Sequence, residues 1–170
     1  MKIKLNNNFL NTMTIVMMNS SQANELLSDK SVNKVIEFIY LQNTCEKSLV
    51  KNIGFINIVN IFPLYESNSG NVQEKINIII SEGQLDEMQR QNKYAFEDVF
   101  LNSEKVVFAW GDVPKKVSAK IHNHEVLMIY DLIVSYNLQK RFIYLNTMNT
   151  IVKVCVLQKR SDHVIRVETR

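Results

Sequence analysis

The hydrophobic positions along the chain fall into two kinds of stretch. Four runs are apolar at nearly every position: Thr14–Met18, Ile53–Phe62, Lys105–Trp110 and Glu125–Tyr130, the last able to continue to Ser135. A short run of this kind fits a strand buried on both faces, as in the middle of a parallel sheet covered by helices. Between the runs the apolar spacing changes to three and four. Val32, Val35, Ile36, Ile39 and Tyr40 predict a helix over Ser31–Leu41, with Asp29 or Ser31 as N-cap. Leu85, Met88, Tyr94, Phe96, Val99, Phe100 and Leu101 predict a second over Leu85–Asn102, and Pro114–Ile121 forms a short third after Gly111. Strands alternating with helices predict an α/β fold of three layers, a central, mostly parallel four-stranded sheet flanked by helices and joined by right-handed crossovers.

The pattern then changes. Phe142–Leu145, Ile151–Leu157 and Val164–Val167 read as strands separated by Asn146–Asn149 and by Lys159–Asp162. These are extra C-terminal β-strands, a meander or hairpin placed on the edge of the main sheet or as an appendage. The length of 170 residues suits one domain over 1–170, with a core at about 14–135 and a β-rich extension at about 140–170. Only 4 Gly and 2 Pro leave no room for a long flexible linker. The 20 Asn are scattered, which marks a compositional bias rather than a prion-like tract.

Charge sharpens this division. The net charge is +3, yet residues 1–152 hold 15 Lys/Arg against 15 Asp/Glu. The excess sits in 153–170, where Lys153, Lys159, Arg160, Arg166 and Arg170 face Asp162 and Glu168. A neutral body with a basic end argues against wrapping nucleic acid over a broad face and leaves room for local phosphate contacts. Cys45 and Cys155 lie far apart and form no motif, so a reduced, cytoplasmic chain is expected. Thr14–Met18 is too short for a signal-peptide core, and no apolar run approaches the roughly 20 residues that span a bilayer. No membrane partner is expected.

Among motifs that carry chemistry, the four glycines (Gly54, Gly70, Gly83, Gly111) never cluster into a phosphate-binding loop, and no Gly-x-Ser-x-Gly elbow exists. His122 and His124 share a face on a strand but diverge on a helix, and His163 is distant, so neither metal nor cofactor is expected. Three places are more informative because they close strands, and open α/β sheets bind ligands at the carboxyl ends of their strands. They are Asn19-Ser20-Ser21, Asn60-Ile61-Phe62-Pro63 and Trp110-Gly111-Asp112. Each also has a purely structural reading: Asn19 capping a turn, Asn60 tying a loop carbonyl, Trp110 anchoring the core.

These residues resemble a known family. Lys105-Val106-Val107-Phe108-Ala109-Trp110-Gly111, then Lys115-Lys116, then His122-Asn123-His124-Glu125-Val126-Leu127 look like the uracil-DNA glycosylase segment Val-Val-Phe-Leu-Leu-Trp-Gly, Lys-Lys, His-His-Val-Leu. Phe55–Asn60 resembles that family's Leu-Leu-Leu-Asn strand end, and Ser67-Asn68-Ser69 echoes the polar loop beyond it. Met18-Asn19-Ser20-Ser21 stands in the place of its first motif. A bacterial family with an Asn-Pro-Ser…Asp pattern and a Trp-Gly strand end is also similar, through Asn19-Ser20-Ser21, Asp29 and Trp110-Gly111. The resemblance covers about residues 14–131 and implies a uracil-DNA-glycosylase-like fold. It implies that Asn19 positions the attacking water, and that Asn60, with Ser20 and Ser21 beside it, reads a flipped pyrimidine through an amide that both donates and accepts. It further places Gly111, Lys115, Lys116, His122 and His124 beside nucleic acid or a partner, to which Lys159, Arg160 and Arg166 would add phosphate contacts.

The chain departs from that pattern where catalysis resides. After Val126-Leu127 the family's His-Pro-Ser-Pro motif is replaced by Met128-Ile129-Tyr130-Asp131-Leu132-Ile133, and the first motif lacks its Pro and aromatic. Asn19 has no titratable group and cannot act as a general base. The expectation is a catalytically degenerate glycosylase-like protein that binds DNA, or a DNA-mimicking inhibitor protein that recognises such glycosylases. Two other readings stay open: an active glycosylase using Asn19 with His122 or His124, and a nucleotide or nucleobase binder that uses the same crevice without DNA.

Overall fold

The computed structural model describes residues 1–6, 8–20, 30–45, 48, 50–66, 71–110, 117–139, 142–145, 151–157 and 164–168. In chain order the elements are β1 (Lys2–Lys4), β2 (Asn11–Ser20), α1 (Lys30–Thr44), β3 (Ile53–Tyr65), α2 (Val72–Ser81), α3 (Leu85–Leu101), β4 (Lys105–Phe108), α4 (Ala119–Ser135), β5 (Phe142–Leu145), β6 (Ile151–Leu157) and β7 (Val164–Glu168). The strands form one sheet in the order β1-β3-β2-β4-β5-β6-β7. Its centre, β3-β2-β4-β5, is parallel throughout. β1 lies antiparallel along β3, and β6 and β7 continue from β5 as an antiparallel meander. The protein is thus a three-layer α/β fold, and its extra C-terminal strands extend the edge of the main sheet.

Strand alternation divides the interior in two. In β2, Met13 and Ile15 face one side, where they pack with Ile53, Ile56, Ile58 and Val107 under Val32 and Ile39 of α1. Val16 faces the other, where Val106, Phe108 and Ile61 meet Val72 and Ile76 of α2, Phe96 and Phe100 of α3, and Ile129, Leu132 and Ile133 of α4. Each such side chain contributes about 1.5–3 kcal/mol by leaving water. One helix on one face and three on the other follow from the winding. The chain moves from β2 to β3 in one direction and from β4 to β5 in the opposite one, so right-handed crossovers fall on opposite faces.

The fourth strand is not where the sequence pattern put it. Residues 125–130 belong to α4, and the fourth parallel strand is β5. In α4 the buried positions are His122, Glu125, Ile129, Tyr130, Leu132 and Ile133, while Leu127 is exposed. That is a helical stripe, and a short apolar window within it cannot be told from a buried strand by periodicity alone. Of the short helix expected over Pro114–Ile121, residues 114–116 lie outside the described residues, and 119–121 are the first turn of α4. β1 and α2 were not expected from the pattern, and β3 runs past Phe62 to Tyr65. The expected helices over 31–41 and 85–102 correspond to α1 and α3.

Two helix ends explain how long helices stop in a chain poor in glycine. Gly83 (φ 69°) follows α2 and Asn137 (φ 58°) follows α4, both left-handed. After α2, Gly83 N–H donates to the Ile80 carbonyl and Gln84 N–H to that of Ile79; after α4, Asn137 donates to Val134 and Leu138 to Ile133. Both are Schellman endings, and in the second Leu138 is buried against the last turn.

Candidate functional site

The four parallel strands, taken in chain order, stand in the sheet as second, first, third, fourth. In such a sheet the connections leaving the first and third strands diverge to opposite faces. The crevice between their carboxyl ends is where doubly wound proteins bind ligands. Here that switch point lies between β2 and β4, with β3 flanking it.

At β2 the backbone of Asn19 pairs with Phe62 and that of Ser20 with Tyr65. Asn60 pairs with Met17, so Asn19 and Asn60 lie on neighbouring strands, two positions apart along them. With about 3.3 Å per residue and 4.8 Å between strands, their Cα atoms are about 8 Å apart. The register jumps between Asn19 and Ser20 because Pro63 and Leu64 of β3 have no partners in β2. Pro63 has no N–H to give the ladder, and a bulge is where a strand tolerates it. Two residues before Pro63, the Ile61 carbonyl accepts from Asn92 Nδ2 of α3 at 2.8 Å, a buried bond that anchors the end of β3.

Asn60 itself is half-buried, and its Oδ1 is buried with no hydrogen-bond partner among the described residues. At the end of β4, Trp110 is half-buried and stacks on Phe108 with ring centroids 4.4 Å apart at 38°, which fits the core-anchor reading of this residue. The three strand ends singled out in the sequence are therefore side by side on one rim of the sheet.

The first turn of α4 approaches the same rim. Its N-cap, Ser118, makes no side-chain cap bond, and its N–H donates instead to Gln73 Oε1 of α2 at 2.7 Å. His122 is 6% exposed, and neither Nδ1 nor Nε2 has a hydrogen-bond partner among the described residues. Its ring lies 6.3 Å from that of Phe62, tilted by 56°. His124 is exposed, so the two histidines diverge, as they must on a helix.

One turn beyond His122, Glu125 is buried and accepts a hydrogen bond from Gln89 Nε2 of α3 at 2.6 Å. Burial pushes its carboxyl above the usual carboxylate range, against the opposing effects of the Gln89 bond and the neighbouring His124. Sequence reasoning missed Glu125, Gln89 and Asn92. A buried acid is invisible in a stretch read as a strand, and the polar residues of α3 carry no motif. Among the described residues no group of three or more His, Cys, Asp or Glu is placed to hold a metal.

Of the other residues singled out in the sequence, Ser21, Gly111, Lys115, Lys116, Lys159 and Arg160 lie outside the described residues, and Arg166 stands opposite Cys155 in the β6–β7 ladder. Among the described residues no helix is long and apolar enough to cross a membrane.

A family model described as "Protein of unknown function (DUF1643)" matches residues 3–152. The chain belongs to the DUF1643 family. The DUF1643 match runs from β1 to the first residues of β6, and so takes in the whole parallel sheet, all four helices and the rim just described. The basic segment 153–170 falls beyond it. No curated protein and no solved structure matches the chain.

Proposed function

We propose that this DUF1643 protein is a uracil-DNA-glycosylase-like binding protein. It takes up a pyrimidine base of DNA in the crevice at the carboxyl ends of β2, β3 and β4 and leaves the glycosidic bond intact. The observation that carries this reading is the unused acceptor of Asn60, buried on the strand that flanks the switch point. A buried acceptor without a donor costs about 1–3 kcal/mol, and a base edge offering an N–H relieves it. An amide can accept from that N–H and donate to the adjacent carbonyl, which suits uracil or thymine.

The loss of cleavage follows from the chemistry available. Excision needs a group to activate water and a donor to support the departing base anion. The residue that the resemblance puts in the water-positioning role, Asn19 near the end of β2, is not titratable. Where the resemblance calls for a His-bearing loop after Leu127, α4 continues unbroken to Ser135. A DNA-mimicking inhibitor of glycosylases would occupy the same crevice, and the cytoplasm is the compartment in which we place the protein.

The test joins binding and chemistry. Fluorescence anisotropy with a uracil-containing single strand should show binding that Asn60→Ala weakens about tenfold, as the loss of a two-bond base contact implies. The same strand, incubated with the protein and treated with alkali, should stay uncut. Strand cleavage would restore the active-enzyme reading. Undiminished binding by Asn60→Ala overturns the placement of the base, and a response to free nucleotides without any to DNA favours the small-ligand reading.

A further inference from the structure

The chemistry of Asn60 leaves His122 unexplained. A histidine this well buried ordinarily satisfies at least one ring nitrogen, because a neutral imidazole has one donor and one acceptor to place. Here, among the described residues, both nitrogens lack partners in a residue 6% exposed. The surroundings point to what is missing. His122 is the fourth residue of α4, and side chains on a helix lean toward its N-terminus, so the ring overhangs the first turn. That turn has no side-chain cap and no acidic residue, although Lys120 in it adds a positive charge to the positive end of the helix dipole. The Ser118 N–H is taken by Gln73, and those of Ala119, Lys120 and Ile121 have no acceptor within the helix.

From this we infer that the start of α4 is a phosphate site, in which His122 and the backbone N–H groups of residues 119–121 hold the anion and Lys120 balances its charge. The inference rests on different atoms from the base-binding reading and goes beyond it. Two sources share this chemistry, the backbone of a DNA strand and the phosphate of a free nucleotide. Glu125, one turn further along α4, is an acidic group on the same buried face. Its carboxyl accepts from Gln89 Nε2, and burial raises its pKa.

The probe is inorganic phosphate, followed by imidazole ring resonances of His122 in the intact protein. Saturable movement of the His122 signals is expected, with His124 unmoved. His122→Leu should lower phosphate affinity about tenfold or more, the loss expected for a bond to a charged group. His122→Gln, which keeps a donor, should retain part of it. His122 signals that stay fixed through tens of millimolar phosphate overturn the inference without any variant. Equal affinity in wild type and His122→Leu overturns it as well.

Deoxyuridine monophosphate and a short oligonucleotide, added next, separate the two phosphate sources. Free uracil reports on the Asn60 reading alone. Phosphate binding without uracil binding removes that reading and leaves this one standing, and the reverse result does the opposite.

Discussion

Asn43 offers the sharpest test of how the sequence fixes the start of the central strand. Near the end of α1, its side-chain Oδ1 accepts from the Ile53 N–H and its Nδ2 donates to the Ile53 carbonyl, both at 2.9 Å. The amide thus imitates a neighbouring strand's backbone at the first residue of β3, where Ile53 is 1% exposed. In Asn43→Ala the buried N–H loses its acceptor, at a cost of about 1–3 kcal/mol, and the carbonyl loses a bond with a net value of about 0.5–1.5 kcal/mol. The sum, about 2–4 kcal/mol, is a substantial part of the 5–15 kcal/mol typical of a domain. Urea unfolding followed by far-UV circular dichroism should show the midpoint falling with unchanged slope. Amide hydrogen exchange should quicken first at Ile53 and its neighbours in β3. A loss below about 0.5 kcal/mol, or exchange at Ile53 equal to that of the wild type, refutes the claim that this side chain completes the strand.

Three further perturbations probe other parts of the frame. A Cβ at Gly54 would overlap the backbone carbonyl of Phe9 in the β1–β2 connection, whose Leu5 and Asn6 N–H groups both reach the Gly54 carbonyl. Gly54→Ala should therefore cost about 2–5 kcal/mol, as thermal unfolding will register. Asn92→Ala removes the buried bond to the Ile61 carbonyl and should cost about 1–3 kcal/mol by chemical denaturation; an unchanged midpoint would show that the end of β3 is held by other means. The folded Glu125 carboxyl titrates above its unfolded value, so the folded state binds the extra proton. Its stabilising contribution is complete below the unfolded pKa near 4.5 and fades as pH rises through the folded value. Glu125→Gln keeps an acceptor for Gln89, and so should stabilise the protein at pH 7, give no gain at pH 4, and flatten the pH profile between them; a gain of equal size at both pH values refutes the assignment.

The order of elements shows which physical signals the sequence carries openly. Met13 and Ile15 alternate with Thr14 and Val16, yet both faces of β2 are buried, so the run reads as a central strand and is one. Helices α1 and α3 were legible because each has one wet face. Glu125–Tyr130 reads as a strand for the converse reason: α4 packs against both β3 and α3, its dry side is wide, and the exposed position in that six-residue window holds Leu127, an apolar residue that does not break the run. The Schellman ending at Asn137 would have marked a helix stop, but an asparagine in a chain with 20 of them is a faint signal.

The rim itself was half legible, and the division has a cause. Strand ends are set by local pattern, so Asn19, Asn60 and Trp110 could be placed at equivalent positions before the sheet order was known. Which of them flank the switch point depends on that order, since only the return of the chain across β2 to form β4 creates the crevice. The unsatisfied polar atoms are non-local in the same sense. Among the described residues His122 has no hydrogen-bond partner although it lies beside Phe62, sixty residues earlier, and the Asn60 Oδ1 has none although Asn60 pairs with Met17 of β2. A sequence pattern can nominate such residues, whereas their unmet hydrogen bonds exist only once the layers are assembled. Those unmet bonds, rather than the motif likeness, make Asn60 and His122 the two positions at which a ligand has chemistry to complete.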